Sequence, residues 1–254
     1  MNLVLSLFPG IGLLDMAFEE EGFCVVRGPD VLWGGDIRRF HPPAGKFDGI
    51  IGGPPCQLFS QFRHINPHVG KQGNMIPDYE RVVAVAAPMW FVMENVKDAP
   101  VPVVAGYTVR DTILNNRWLG EEQDRTRRFS FGTADGRKLS VMTSALEAPL
   151  YAQAVNCGGR AVPVRFGGSG KVKASLRPPT VTGGHGSAFA SERGGNMSIE
   201  RMVELQGLPV GFLDDAPFTA HGKRKVIGNG VPLPMGRAIA RAVRAAMYAT
   251  EGVA

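Results

Sequence analysis

What constrains this chain most is a set of short apolar runs, each stopped by a glycine- or proline-rich turn. Asn2 to Phe8 is mostly apolar and ends in Pro9-Gly10-Ile11-Gly12. Phe47 to Ile51 ends in Gly52-Gly53-Pro54-Pro55. Such runs read as buried strands followed by tight turns. Between them, Leu13 to Glu21 carries Leu13, Leu14, Ala17 and Phe18 at helical spacing, and Phe23 to Val26 reads as a second strand. Further on, Glu80 to Ala87 suits a helix and Met89 to Met93 a strand. Strands alternating with helices predict an α/β fold with a mostly parallel sheet. The runs lack polar alternation, as expected where both sheet faces are covered. The link from Asp30 to Asp36 is too short for a helix.

The composition changes after Glu147. From Ala148 to Ser191 there is no Asp or Glu, while Arg160, Arg165, Lys171, Lys173 and Arg177 lie among paired glycines. The whole chain carries 28 basic against 23 acidic residues, so this stretch concentrates an excess that is mild overall. It predicts a second, irregular module suited to a polyanion, the bland alternative being a basic glycine-rich linker. Ser198 is an expected N-cap with Gly207 as the stop, and Pro234 to Tyr248 an expected closing helix. Cys24, Cys56 and Cys157 form no CxxC pair, which suggests neither a zinc site nor a disulfide framework and fits a reduced, cytoplasmic setting. The start lacks the basic residues of a signal peptide. The run Val82–Met93 is broken by Pro88 and is too short to span a bilayer.

Several residues could carry chemistry. Gly10 and Gly12 let backbone N–H groups and a helix N-terminus approach a ligand, although an ordinary strand-to-helix turn would look the same. Asp30, at the end of the second strand, can hold a ribose hydroxyl, and Asp36 offers another carboxylate near that sheet edge. Either could equally be a turn residue. Cys56 follows Gly52-Gly53-Pro54-Pro55, at the sheet edge where α/β proteins bind ligands. Most free cysteines are small buried hydrophobes, but this frame argues against burial in regular structure. Gln57 to Asn74, with Arg63, Lys71 and glycines at 70 and 73, is either a closing loop or a long surface loop.

Taken together, these segments resemble the cytosine-5 DNA methyltransferase family. Gly52 to Ser60 resembles its catalytic Pro-Cys loop, and Phe8-Pro9-Gly10-Ile11-Gly12 its cofactor loop. Glu94-Asn95-Val96 is similar to its Glu-Asn-Val motif, and Gln123-Asp124-Arg125-Thr126-Arg127 to its Gln-x-Arg-x-Arg motif. Arg177-Pro178-Pro179-Thr180 and Leu205-Gln206-Gly207-Leu208-Pro209 resemble the segment after its recognition region, and Gly228-Asn229-Gly230-Val231-Pro232 its last cofactor motif. The order of motifs is the same along nearly the whole chain.

The resemblance implies a Rossmann-like methyltransferase domain over residues 1–140, completed by 225–254, and a small irregular target-recognition domain over 141–224. It implies S-adenosyl-L-methionine as cofactor, held by Phe8, Gly10, Ile11, Gly12, Asp30, Asp36, Ile37, Pro54, Asn229 and Val231. It implies double-stranded DNA as substrate, a cognate restriction endonuclease as a candidate partner, no membrane association, and a monomer. The implied catalytic residues are Cys56 as nucleophile, Glu94 as proton-sharing acid, and Arg125 and Arg127 as ligands of the base. Without the other motifs, those arginines would read as surface ion pairs with Glu121 or Glu122. The same chemistry on tRNA is a rival, disfavoured because no Cys-Phe-Thr signature is present. A catalytically idle relative is disfavoured by the intact Cys56, Glu94, Arg125 and Arg127. A nicotinamide oxidoreductase would rest on Gly10-x-Gly12 alone, and an amino-group methyltransferase would replace the Cys56 loop by an Asp/Asn/Ser-Pro-Pro-aromatic one.

Overall fold

The computed structural model of the protein describes residues 2–55, 59, 73–143, 162–165, 172–175, 181 and 197–248. Contacts divide the chain into two compact units. The first comprises Met1–Leu114, Thr126–Val141 and Gly236–Ala254, and the second Asn115–Arg125 and Met142–Met235.

The first unit is built on a six-stranded sheet. Its strands are β1 (Leu3–Leu7), β2 (Cys24–Arg27), β3 (Gly49–Gly52), β4 (Trp90–Asn95), β5 (Thr108–Asn115) and β6 (Thr126–Thr133), ordered β2-β1-β3-β4-β6-β5. β1 runs parallel to β2 and β3, and β3 parallel to β4, whereas β6 lies antiparallel to β4. The expected α/β architecture with a mostly parallel sheet is therefore what the chain forms. β3 and β4 are buried along their whole length, which explains why their sequences are apolar without alternation. Helices α1 (Leu13–Glu20) and α2 (Ile76–Ala86) connect the parallel strands. α2 starts four residues before the expected Glu80, because Pro77 in its first turn favours a helix start there. Two 3-10 turns, Val31–Trp33 and Ile37–Arg39, take the place of a helix in the short link after β2.

Two glycines set the sheet packing. A Cβ on Gly49 would run into the Trp90 ring, and one on Gly132 into the Phe91 ring. The bulky side chains of β4 thus lie flat across the backbones of both neighbouring strands. Among the helices, α1 ends in Glu19, Glu20 and Glu21, an unfavourable sign for a helix C-terminus. Arg237 bonds Glu20 at 2.5 Å, and Arg241 bonds Glu21 at 2.7 Å. Both arginines belong to the closing helix, which spans Leu233–Tyr248. The Arg237 hydrogen bond holds the Glu20 carboxyl below its usual range.

The second unit contains α3 (Ile199–Leu205) and α4 (Ala220–Asn229), so the closing helix is α5. Ser198 caps α3 by accepting from the Arg201 N–H at 3.1 Å, and Gly207, at φ 70°, ends it as expected. A core of Met202, Val203, Leu205, Leu208, Leu213 and Ile227 packs this unit. Within the acid-free stretch, β7 (Val162–Arg165) and β8 (Val172–Ser175) pair antiparallel. β5, β6, β7, β8 and α4 are not foreseen by the sequence pattern. No helix among the described residues is long and apolar enough to cross a membrane.

Candidate active site

The site begins where β1 stops. Phe8 sits at φ 55°, a left-handed conformation that is costly for an aromatic residue and worth explaining. Its N–H donates to the Pro29 carbonyl at 3.3 Å, tying the end of β1 to the segment after β2. The Asp30 carboxylate then accepts from Gly10 N–H at 2.8 Å and from Leu32 N–H at 2.7 Å. Each Asp30 oxygen uses one backbone donor and retains lone-pair capacity towards a hydroxyl. Gly12 caps α1 at φ 81°, and a Cβ there would meet Arg27 Nη2 at 2.5 Å. Only glycine meets both requirements.

Beneath this loop lies a polar group that the sequence reading did not single out. Asp15 is fully buried, accepting from Ser6 Oγ at 2.5 Å and from Arg27 Nε at 3.0 Å. Burial raises the Asp15 carboxyl above its ordinary range, while Ser6 and Arg27 oppose that shift. Trp33 was also missed. Its indole N–H donates to the Gly10 carbonyl at 2.7 Å, while the side chain stays 59% exposed. An exposed, hydrogen-bonded tryptophan beside a glycine loop is a platform for a planar ligand.

Asp36 and Ile37 are placed differently from each other. Asp36 accepts from Arg38 N–H at 3.0 Å and from Arg38 Nη2 at 2.9 Å, and this partner holds its carboxyl below the usual range. Ile37 is buried among the core residues of the first unit, and Arg81 Nη2 donates to its carbonyl at 2.6 Å. Phe8 packs partly against the same cluster.

The end of β4 carries the other half of this unit's site. Glu94 Oε1 pairs with Arg127 Nε at 2.8 Å, with side chains 12% and 14% exposed. A Cβ on Gly53 would lie 3.1 Å from Glu94 Oε2, so the carboxylate rests directly against the turn that leads to Cys56. Asn95 Nδ2 donates to the Pro54 carbonyl at 3.2 Å, fixing that turn to the same strand. Cys56 itself lies outside the described residues, as does most of the segment Gln57–Asn74.

In the second unit, Arg125 is buried rather than presented. Its guanidinium donates to the carbonyls of Val181 at 2.5 Å, Gly228 at 3.2 Å and Gly230 at 2.9 Å. Gln123 is buried too and donates to the Leu205 carbonyl at 3.1 Å. Glu122 pairs with Arg201. Asn229 is exposed at the end of α4, and Val231 is buried just beyond it.

Residues 33–100 match the model of the C-5 cytosine-specific DNA methylase family. That stretch holds Asp36, Ile37, Pro54, Cys56 and Glu94. Over this stretch the chain is similar to that family. Among its members, the type II methyltransferase M.FnuDI of Fusobacterium nucleatum is 32% identical over 158 residues, 51% of this chain and 46% of that protein. The type II methyltransferase M.NgoPII of Neisseria gonorrhoeae is 30% identical over 160 residues, 51% of this chain and 47% of that protein. The chain spans about half the length of these relatives. The fold of the chain is also that of solved structures. An Entamoeba histolytica methyltransferase, EhMeth, superposes with a TM-score of 0.64 at 12% identity, over 95% of this chain and 97% of its own. DNMT2 of Spodoptera frugiperda superposes with a TM-score of 0.65 at 13% identity, over 96% of this chain and 99% of its own.

Proposed function

We propose that the chain transfers a methyl group from S-adenosyl-L-methionine to carbon 5 of cytosine in double-stranded DNA. The observation that carries this reading is the Glu94–Arg127 pair, 2.8 Å apart, with the Glu94 carboxylate resting against Gly53 in the turn that leads into Cys56. An acid and a guanidinium held at a turn that runs on, in sequence, to a cysteine fit the chemistry of cytosine. Carbon 5 is a weak nucleophile, and addition of the Cys56 thiolate at carbon 6 converts the ring to an enamine whose carbon 5 can attack. As the thiolate adds, charge develops towards N3, where Glu94 shares a proton. Arg127 orients the Glu94 carboxylate and supplies N–H donors for the base O2. A base then takes the carbon 5 proton, and the thiolate leaves carbon 6 as the ring double bond reforms. The target atoms lie inside a duplex, so the cytosine is flipped out before any of this occurs.

The loop residues fit the cofactor. The Asp30 carboxylate has acceptor capacity for ribose hydroxyls, the space beside Gly10 is open, and Trp33 offers an exposed planar face. Bound S-adenosyl-L-methionine supplies an electrophilic methyl group. Phe8, Gly10, Ile11, Gly12, Asp30, Asp36, Pro54, Asn229 and Val231 are its proposed contacts. Ile37 contributes by packing beneath them. The acid-free stretch is the proposed recognition module, and a cognate endonuclease the proposed biological partner.

The test is methyl transfer from labelled S-adenosyl-L-methionine to matched DNA and RNA substrates, followed by bisulfite sequencing. Label and bisulfite protection at cytosines of the DNA are expected. Transfer to RNA alone, or to adenine, would overturn the reading.

A further inference from the structure

Helix α4 has an unusual way of ending. The last carbonyls of any helix lack intrahelical N–H partners. Many helices meet this need with a left-handed glycine, but Gly230 at the C-cap is extended, at φ −72° and ψ 157°. Locally, only its own N–H turns back, to the Ile227 carbonyl at 3.1 Å. There is no basic residue in the last turn. The remaining donors come from far along the chain. Arg125 Nη2 reaches the carbonyls of Gly228 and Gly230, and Gln206 Nε2 reaches those of Ile227 at 2.6 Å and Gly230 at 3.2 Å. The Gln206 carbonyl in turn accepts from Leu233 N–H at 2.9 Å, holding the chain just beyond the turn.

This arrangement is expensive to build. Arg125 is 1% exposed and Gln206 fully buried. Burying a guanidinium and an amide costs free energy that apolar side chains of the same size would avoid. What apolar groups could not do is bind carbonyl oxygens. The guanidinium also brings positive charge to the negative end of a helix dipole. The two arginines of one motif therefore have separate roles: Arg127 faces a carboxylate, whereas Arg125 faces backbone.

We propose that Arg125 and Gln206 are positioning residues that cap α4 from elsewhere in the chain, fix the path of Gly228–Val231, and thereby set affinity for the cofactor rather than the rate of base chemistry. This rests on the reading that Asn229 and Val231 hold S-adenosyl-L-methionine. Arg125→Lys keeps the charge but not the forked donors, and Gln206→Met keeps the length but not the donor. Each is compared with wild type and with Arg127→Lys by hydrogen exchange, by calorimetry with S-adenosyl-L-methionine, and by kcat at saturating cofactor. Thermal melting identifies the variants that fold.

In both capping variants the amides of Gly228–Val231 lose protection while those of β1 and β4 keep it. Cofactor affinity falls about tenfold or more, and kcat stays within about threefold of wild type. Arg127→Lys gives the opposite split. A fall in kcat with unchanged cofactor affinity in Arg125→Lys would make Arg125 a ligand of the base and overturn the proposal. Unchanged protection at Gly228–Val231 would overturn the cap. If wild-type protein binds no S-adenosyl-L-methionine, the cofactor reading itself fails. The exchange data, which need no ligand, then still decide whether Arg125 and Gln206 cap the helix.

Discussion

In the proposed reaction Glu94 is the proton-sharing acid, and its neighbours make the expected effect of changing it specific. It is nearly buried, ion-paired to Arg127, and pressed against Gly53. Glu94→Gln preserves shape and hydrogen bonding but cannot share a proton with N3. Turnover should fall by about 100- to 10,000-fold, as for other acid–base groups, with DNA affinity little changed. Single-turnover kinetics beside gel-shift titrations separate the two, and a near-normal rate would make Glu94 structural. Asp15 gives a prediction of a different kind. Its carboxyl is raised by burial, so the folded chain holds that proton more tightly than the unfolded chain does. The stability this contributes is complete below the unfolded carboxyl range, about pH 4, and is lost as pH rises through the raised folded value. Unfolding free energies of wild type minus Asp15→Asn should therefore fall as pH rises above about 4. A difference that is flat or rises with pH would contradict the assignment.

At the scale of elements, close approach between strands decides what each tolerates. A methyl group on Gly49 would enter the Trp90 ring, and the ring has no room to retreat because it is fully buried among Phe18, Phe23 and Phe131. Gly49→Ala should cost about 1–3 kcal/mol in urea denaturation, as overpacked cores do, and an unchanged midpoint would mean the sheet can open there. The buried strands β1, β3 and β4 are legible in the sequence, as is the more exposed edge strand β2. β1, β3 and β4 are apolar because both faces are covered, and the glycine exits of β1 and β3 mark the sheet edge where Phe8, Asp30 and Glu94 lie. The elements that escaped notice share the opposite character. β5 is an edge strand with exposed Thr108, Arg110, Asp111 and Ile113, so its pattern is neither apolar nor cleanly alternating. β6 opens with Thr126-Arg127-Arg128, and those arginines have partners that no local pattern reveals: Glu94 for one, Asp111 for the other. α4 is polar and contains Gly222 and Gly228, which read as turn residues, and its end is held by side chains from distant segments.

For the whole molecule, the motifs point to a resemblance and a candidate site, but not to the separate partners of the residues within it. Sequence spacing could not separate Arg125 from Arg127, two residues apart, because their difference lies in long-range partners. Nor could it show that Arg38 occupies the Asp36 carboxylate, or that Trp33 lies over the Gly10 carbonyl. The charge of the chain, +5 overall, bears on DNA binding through the acid-free stretch. Lys173 belongs to β8, Arg165 ends β7, and Lys171 lies outside the described residues. If Lys171 and Lys173 meet phosphates, changing either to Ala should lower the salt slope of DNA binding by about 1 at every sequence. If Arg165 reads a guanine, its loss should relax preference at one position, at a cost of about 1–3 kcal/mol. Wild-type slopes and preferences in all three variants would make the stretch a linker.

The central claim is covalent catalysis by Cys56 on a cytosine flipped out of DNA. The most direct measurement uses a duplex carrying 5-fluorocytosine at the target, incubated with the protein and S-adenosyl-L-methionine. Fluorine at carbon 5 blocks the final proton removal, so the thiolate cannot leave. The account predicts a protein–DNA adduct stable to denaturing electrophoresis, with mass spectrometry locating the bond at Cys56. The adduct should be absent from Cys56→Ala and undiminished in variants of Cys24 and Cys157. An equal yield of adduct from Cys56→Ala, or an adduct mapped to another residue, would contradict it.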